Sequence, residues 1–215
     1  MRTAIEERID LVEGGSSEVM GRYKRVFDLL LAPLFFLLSL PLFILVALII
    51  KLTDDGPVFF YQKRCGLHGK RFKMIKFRTM SRSSGAFKKN LKSDTDGPMF
   101  KKKDDPRITA IGKALRRLSL DELPQLINVM RGEMSLIGPR PLAKKEMMGN
   151  DLWRRTRLMV KPGLTGLWQV NGRGSGRFED WVTYDMEYVN NWSPLMDVQI
   201  LLATFSVVLR RKGAH

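Results

Sequence analysis

Residues 29–50 read LLLAPLFFLLSLPLFILVALII and contain no charged side chain. As a straight helix this run would be about 33 Å long, at about 1.5 Å per residue, and the hydrocarbon core of a bilayer is about 30 Å thick. The run is too long for the apolar part of a cleaved signal peptide, and a core helix of a soluble protein is seldom apolar on every side. These residues therefore predict a helix inserted in a membrane.

Two prolines, Pro33 and Pro41, interrupt the apolar run, and Ser39 lies close to the second. Because proline removes one helical hydrogen bond and clashes with the preceding turn, we expect a membrane bend at Ser39 and Pro41. Basic residues flank the run on both sides: Arg22, Lys24, Arg25 and Lys51. Positive flanks favour the cytoplasmic side, so a hairpin that enters and leaves by one face satisfies both. A spanning helix is the alternative, because the run is long enough to cross.

The sequence divides into three parts. Residues 1–21 are polar and predict an N-terminal arm, and residues 22–51 predict the re-entrant membrane helix. Residues 52–215 have the length of one compact domain, which we expect at the cytoplasmic membrane surface. Within this domain the polar, basic stretch 81–105 predicts a loop.

The net charge is +15, and most of the excess lies just after the apolar run, where residues 51–117 hold nineteen basic and six acidic residues. Such a cluster can attract anionic lipid headgroups, grip nucleic acid, or bind a diphosphate substrate. Nucleic acid is the weakest of these three, because no helix-turn-helix, RRM or zinc-finger pattern occurs.

Composition also excludes several kinds of site. The single Cys65 cannot form an internal disulfide, and with only His68 and His215 there is no zinc cluster and no convincing Cys/His or Ser/His/Asp set. A metal ion, if bound, would be a hard cation held by carboxylates.

The apolar patterning predicts an α+β fold that is mostly helical. Short strands at Val58–Tyr61 and Phe72–Phe77 flank the turn sequence GLHGK, which predicts a small β-hairpin. Helical spacing begins at Thr109 and returns in two later helices, from Phe178 and from Leu195 to Leu209. We expect these late helices to be amphipathic and interfacial, with ordinary core packing as the alternative.

The candidate chemistry lies around residues 117–141. The sequence SLDEL predicts a capping box with Ser119 as N-cap and a helix that continues to about Gly132, with an irregular start because Pro124 lies deep in the first turn. Asp121 and Glu122 then fall in the first turn, where the helix dipole favours acids, so both could be ordinary first-turn residues.

Nearby cations favour a functional interpretation of the acidic pair. They are Lys76, Arg78, Arg116, Arg117 and Arg140, which lies between Pro139 and Pro141. Adjacent carboxylates point about 100° apart on a helix, so one could attack phosphorus while the other holds a metal. These residues suit phosphoryl transfer without a P-loop. A structural ion pair is the alternative for Arg140.

Several motifs resemble those of the bacterial sugar transferases, the monotopic polyprenyl-phosphate phosphoglycosyl transferases that begin the assembly of surface glycans. In order they are KRVFD at 24–28, the proline-broken apolar run, GLHGK at 66–70, KFRTM at 76–80, DPRIT at 105–109, SLDELPQLINVMRGEMSLIGPRP at 119–141 and PGLTGLWQVNGR at 162–173. The resemblance runs from Lys24 to the C-terminus. Small family members place Ser directly before the kinking proline, whereas Leu40 separates Ser39 from Pro41 here.

This resemblance implies a transfer of sugar 1-phosphate from a UDP-sugar to undecaprenyl phosphate, with release of UMP and use of Mg²⁺. It implies Asp121 as nucleophile and Glu122 as metal ligand. The positions that would meet phosphate or line the substrate site are Lys76, Arg78, Arg117, Pro139, Arg140, Pro141 and Arg173. The GLTGLWQV wording is similar to members that handle glucose or galactose.

The same resemblance implies the cytoplasmic face of the bacterial inner membrane, with both termini cytoplasmic and phospholipid as a partner. It implies no nucleic-acid partner. Later glycosyltransferases of the pathway are candidate partners, and the oligomeric state is open. The alternative function is a non-catalytic, membrane-tethered basic module that binds anionic lipid or nucleic acid.

Overall fold

The computed structural model describes residues 17–81, 93, 102, 104–147, 150–172 and 177–209. Most of the predicted N-terminal arm, most of the predicted loop at 81–105, and Arg173 lie outside these residues. The described part contains seven α-helices and four short strands, so the α+β class is confirmed.

The apolar run lies in one long helix, α1, Ser17–Thr53, which begins before the predicted residue 22. Pro33 and Pro41 are both inside it, and no break divides it into two helices. The Ser39 hydroxyl donates to the Phe36 carbonyl at 3.0 Å, which gives the backbone a side-chain partner just before Pro41. Only 11% of its most apolar 18-residue window is buried, so α1 is unlike the core helix of a soluble protein.

Both ends of α1 and one side of its middle pack on the rest of the chain, and the other side of the middle is exposed. Met20 and Ala32 belong to the main core cluster, while Val46 and Ile50 pack in another cluster beside the β-hairpin. Leu123 contacts both clusters. Between the two ends, large apolar side chains are exposed: Leu37, Leu38, Leu42, Ile44 and Leu45.

The predicted β-hairpin is confirmed, with β1 at Phe59–Cys65 and β2 at Arg71–Phe77. The strands are antiparallel, and Phe59 lies opposite Phe77 while Cys65 lies opposite Arg71. The turn between them contains a single 3-10 turn in which His68 has φ 52°. At the open end of the hairpin Phe59 contacts Phe43 of α1, with 5.8 Å between ring centroids. At the turn end Cys65 packs into a cluster that contains no residue of α1, and Phe72 packs in the main core cluster.

The helix predicted from Thr109 onward is also confirmed, as α2, Ala110–Arg117. The Thr109 hydroxyl caps it by accepting from the Gly112 amide at 2.9 Å. The predicted capping box at Ser119 is wrong. Ser119 is left-handed, with φ 55° and ψ 19°, and its side chain caps nothing. A 3-10 turn, Leu120–Glu122, follows, and α3, Gln125–Met130, begins only after Pro124, whose ring prevents one continuous helix.

A second, parallel pair of strands was not predicted from the sequence. β3, Ser135–Ile137, pairs with β4, Gly163–Thr165. The chains approach closely here, since a Cβ placed on Gly163 would lie 2.1 Å from the Gly138 amide nitrogen. The residues after β4 form α5, Leu167–Asn171.

Three further helices complete the described structure: α4, Asp151–Leu158; α6, Phe178–Asn190; and α7, Pro194–Leu209. For α7 the sequence left two alternatives, core packing and an interfacial role, and the structure shows both buried and exposed apolar residues in this helix. Ile200 is buried in the main core, whereas Leu195, Leu202 and Phe205 are exposed. Phe205 also contacts Phe35 of α1, at 6.2 Å between ring centroids.

A buried polar cluster joins the start of α1 to α6 and α7. We call it the anchor cluster, and its members are Lys24, Asp28, Tyr188, Trp192 and Asp197. The Lys24 ammonium lies 2.8 Å from an Asp197 oxygen and also donates to the Tyr188 hydroxyl. Asp28 accepts hydrogen bonds from the Ser135 hydroxyl and the Leu136 amide, at 3.0 Å and 2.8 Å.

Candidate active site

Asp121 and Glu122 lie on the 3-10 turn between α2 and α3. The left-handed Ser119 redirects the chain after α2, and Pro124 starts α3, so the two acids occupy a tight turn and not a regular first helical turn. Asp121 is buried, with 7% of its surface exposed, and Glu122 is half-buried.

Two of the predicted cations meet this acidic pair. The Lys76 ammonium lies 2.7 Å from a Glu122 oxygen and 3.9 Å from an Asp121 oxygen. The Arg140 guanidinium lies 3.1 Å from the same Glu122 oxygen. The structure thus brings together residues from β2, from the turn after α2 and from the segment after β3. We call Lys76, Arg116, Asp121, Glu122 and Arg140 the active-site cluster.

The arginines before the acidic pair separate into two kinds. Arg116 is half-buried, its Nε donates to the Thr79 hydroxyl at 2.9 Å, and its charge acts on Asp121. Arg117, the predicted phosphate ligand, is exposed. The structure therefore places Arg116, and not Arg117, beside the acidic pair, and a phosphate role for Arg117 stays a prediction.

Arg78 lies elsewhere. Its guanidinium donates to the Asp54 carbonyl at 2.9 Å and lies 3.3 Å from the Asp54 carboxylate, just beyond the end of α1. In this position Arg78 links β2 to the turn after α1. The position does not support a substrate contact for Arg78. The predicted contact of Arg173 lies outside the described residues.

The electrostatics of the site centre on Asp121. Burial raises the pKa of its carboxyl above the ordinary value, and Lys76 opposes that rise most strongly. The Glu122 charge raises the same pKa, while Arg116 and Arg140 lower it. In turn Glu122 raises the pKa of the Arg140 guanidinium. The cations thus offset the burial of a carboxylate that, among the described residues, accepts no side-chain hydrogen bond.

Lys76 is held in place by a buried asparagine. The Asn128 side-chain oxygen accepts from the Ile75 amide at 3.0 Å, and its nitrogen donates to the Lys73 carbonyl at 2.9 Å. Asn128 is fully buried on α3. One side chain therefore fixes β2 to the helix that follows the acidic pair.

Arg140 is presented by a rigid segment. Pro139 and Pro141 are buried on either side of it, and the Gly163 amide donates to the Pro139 carbonyl at 2.9 Å. Arg157 of α4 donates to the Arg140 carbonyl. The prolines limit φ around Arg140, so its backbone is fixed before any ligand binds.

Arg157 is itself held from behind. It lies 3.3 Å from the Asp185 carboxylate, which also accepts from the Trp153 indole at 2.9 Å. The guanidinium carbon stands 4.7 Å above the Trp153 ring. Burial raises the pKa of Asp185 to about 6. This chain of contacts links α4 and α6 to the backbone of Arg140.

The donor set suits one kind of metal site only. No group of three His, Cys, Asp or Glu side chains able to hold a metal occurs in the described part of the chain. Asp121 and Glu122 supply two adjacent carboxylates. Mg²⁺ is commonly held by one or two carboxylates together with substrate phosphates and water, and these residues fit that arrangement.

Comparisons with known proteins show the family of this chain. Residues 19–211 match the family model described as bacterial sugar transferase. The chain belongs to the bacterial sugar transferase family. It is 41% identical over 208 residues to the exopolysaccharide production protein ExoY of Sinorhizobium fredii, covering 94% of this chain and 92% of that relative.

Two longer relatives of the bacterial sugar transferase family carry names that state an activity. The undecaprenyl-phosphate galactose phosphotransferase of Salmonella typhimurium is 43% identical over 199 residues, which is 89% of this chain and 41% of that protein. The undecaprenyl-phosphate glucose phosphotransferase of Komagataeibacter xylinus is 43% identical over 192 residues, 84% of this chain and 35% of that protein. This chain thus spans less than half of each.

Sequence reasoning missed three residues that support the site in this bacterial sugar transferase. They are Thr79, Asn128 and Arg157. Asn128 left a signal, because it is a polar residue inside the apolar pattern of α3 and such residues need buried partners. Thr79 and Arg157 left none, since only the tertiary fold brings them to Arg116 and Arg140.

Proposed function

We propose that this chain transfers a sugar 1-phosphate from a UDP-sugar to undecaprenyl phosphate, giving undecaprenyl-diphosphate-sugar and UMP. This would be a membrane step in the synthesis of a surface glycan, as the names of the relatives suggest for those proteins. Glucose or galactose is the proposed sugar.

One observation carries the proposal. Asp121 is a buried carboxylate that accepts no hydrogen bond from any side chain in the described part of the chain, and it is set among three cations whose charge suits phosphate. Pure ion pairing would neutralise the acid directly, as Lys76 does for Glu122 at 2.7 Å. Asp121 is instead 3.9 Å from the same ammonium, which leaves its oxygens available for a phosphorus atom.

The proposed chemistry has two steps. An Asp121 oxygen attacks the phosphorus attached to the sugar, the bond from that phosphorus to the bridging oxygen breaks, and UMP leaves with the electron pair. A phosphate oxygen of undecaprenyl phosphate then attacks the same phosphorus, and the bond to Asp121 breaks to restore the carboxylate. Lys76, Arg116 and Arg140 stabilise charge on the phosphoryl oxygens in both steps. Two steps let a soluble donor and a lipid acceptor use one site in turn.

We propose Mg²⁺ as the cofactor, with Glu122 as its protein ligand. Bound there, the ion would neutralise charge on the diphosphate of the donor. The two cations that share one Glu122 oxygen hold the carboxylate in position for this role.

We further propose that α1 is re-entrant and lies at the cytoplasmic face of the bacterial inner membrane, with both termini cytoplasmic. Both ends of α1 pack on the same domain while its middle exposes large apolar side chains, which suits a helix that enters and leaves by one face. A cysteine introduced near residue 5 should resist a membrane-impermeant thiol reagent in intact cells. Labelling from the periplasm would indicate a spanning helix.

The activity is tested by UMP release. The purified chain in phospholipid nanodiscs would be given undecaprenyl phosphate, Mg²⁺ and a panel of UDP-sugars. Release of UMP that depends on acceptor and on one hexose supports the proposal. Binding of anionic vesicles or nucleic acid without UMP release from any donor would favour the non-catalytic module instead.

A further inference from the structure

A basic groove lies outside the active-site cluster, at the turn end of the β-hairpin. It has a volume of about 270 Å³ and is lined by Cys65, Ala143 and five cations: Lys63, Arg64, Arg71, Lys144 and Lys145. We call it the basic groove. Four of the cations are exposed, and within the described residues none of those four forms an ion pair.

The groove is built on a fixed floor. Arg64 pairs with Glu146, whose same oxygen accepts from the Ala143 amide at 2.7 Å. The Arg64 Nε is buried without a hydrogen-bond partner. In the hairpin register Lys63 faces Lys73, a like-charge pair that costs stability unless an anion lies nearby. Positive charge is therefore concentrated here beyond what the protein neutralises.

The position of the groove favours a soluble ligand over a lipid. The open end of the hairpin contacts α1 through Phe59 and Phe43. At the turn end Cys65 packs into the cluster that contains no residue of α1, whereas Phe72 packs in the main core cluster with Met20 and Ala32 of α1. None of the residues that line the groove belongs to α1, and none of them is a large exposed apolar side chain that a lipid tail would contact.

Of the hairpin residues that line the groove, Arg64 alone lies on the face that carries Lys76. Arg64 and Lys76 share one face of the hairpin, because Lys76 pairs with Phe60 and Arg64 is four residues further on, or about 14 Å. Burial lowers the pKa of the Arg64 guanidinium, Glu146 raises it, and the charge of Arg140 lowers it further. Arg64 and Arg140 are therefore close enough for their charges to interact.

We propose that the basic groove is the docking site where the diphosphate of the soluble nucleotide donor first binds before it moves to Asp121. This inference rests on the proposed function, which makes the donor a nucleoside diphosphate sugar. The cavity is small for a whole nucleotide sugar but suits its phosphates. Arg64 is about 14 Å from Lys76 along the hairpin, so we place the groove before the reacting position and not at it. Its effect is on association rate, which long-range charge governs and salt suppresses.

The test uses the full chain in nanodiscs with the active UDP-sugar. We expect kcat/KM for the donor to fall as salt rises from about 20 mM to about 300 mM. The double variant Lys144→Glu with Lys145→Glu should lower kcat/KM about tenfold at low salt, flatten the salt dependence, and leave kcat unchanged. The matched control, Lys113→Glu with Arg155→Glu, changes two exposed cations outside the groove by the same charge and should behave like wild type.

Several results would overturn the docking site. They are a wild-type kcat/KM that salt does not change, a groove variant equal to the control, or a loss confined to kcat. Loss of binding to anionic vesicles with unchanged kcat/KM would assign the groove to lipid. If the first variant does not fold, Lys63→Glu with Arg71→Glu tests the opposite wall. A wild-type chain inactive with every UDP-sugar would overturn the proposed function as well, which separates the two failures.

Discussion

Asp197 of the anchor cluster and Asp121 of the active-site cluster are both buried acids, and they are paired in opposite ways. In the anchor cluster both oxygens of Asp197 have close partners: Tyr188 at 2.8 Å on one, Lys24 at 2.8 Å and Trp192 at 3.1 Å on the other. In the active-site cluster one oxygen of Glu122 takes two cations, while the one ion pair of Asp121 within the described residues is that with Lys76 at 3.9 Å. Saturated buried charge fixes a structure, and incompletely paired buried charge is available for a substrate.

The largest predicted effect is the loss of activity on replacing Asp121 in the active-site cluster. Asp121→Asn is isosteric and removes no close hydrogen bond, so we expect the fold and thermal stability to be retained. Loss of the nucleophile should lower UMP release by at least about a thousandfold. Turnover and thermal unfolding would be measured on the same preparation. Turnover within about tenfold of wild type would remove Asp121 from the chemistry.

The next effect concerns Arg140. Arg140→Lys keeps a positive charge but loses the planar fork that binds two phosphate oxygens, so kcat/KM should fall about a hundredfold. Arg154→Lys, a partly exposed arginine paired with Asp151, is the matched control and should be silent. Equal kinetics for the two variants would make Arg140 a structural ion pair with Glu122.

A change in the anchor cluster should lower stability and leave activity nearly unchanged, the reverse of the effect of Asp121→Asn. Lys24→Met leaves the buried Asp197 carboxylate without its cation, which costs about 3–5 kcal/mol of stability. Activity per folded molecule should stay within a few-fold of wild type. Adding Asp197→Asn should recover part of the stability, since Asn still accepts from Tyr188 without a charge. A Lys24→Met variant that is stable but inactive would contradict the distinction between the clusters.

The smallest predicted effect is at Asp185, a buried acid that belongs to neither cluster and supports Arg140 through Arg157. Its folded pKa of about 6 is above the ordinary value of 3.8, so the folded state takes up a proton that the unfolded state has lost. The free energy of unfolding should therefore fall as pH rises from about 4 to about 6. In Asp185→Asn this component should disappear from denaturant titrations. An unchanged pH dependence would show that Asp185 does not titrate in this range.

The sequence alone predicted the elements with strong local signals. The β-hairpin follows from alternating strands around GLHGK, and α7 follows from Ser193 and Pro194 at its start, where the Ser193 hydroxyl accepts from the Met196 amide. The parallel pair β3–β4 could not be predicted, because strands of three residues show no period. The capping box failed because Ser119 takes a left-handed conformation that depends on the packing of α2 against the turn.

The site was predictable in its residue types and less so in its geometry. Lys76, Glu122 and Arg140 meet as the spacing and the resemblance suggested, from three separate segments. The choice between Arg116 and Arg117 depends on which face of α2 turns toward Thr79, and that needs tertiary contacts. Arg78 pairs with Asp54, and not with the acidic pair, because β2 ends beside the turn after α1.

The central claim is that Asp121 carries the phosphosugar, and intact mass tests it most directly. The full chain would be incubated with the active UDP-sugar and Mg²⁺ without acceptor, and then analysed by intact mass and by peptide mapping. We predict one phosphosugar adduct per chain on the peptide containing Asp121, absent in Asp121→Asn and discharged by undecaprenyl phosphate. An adduct on another residue, or no adduct together with kinetics that require both substrates bound at once, would contradict the account.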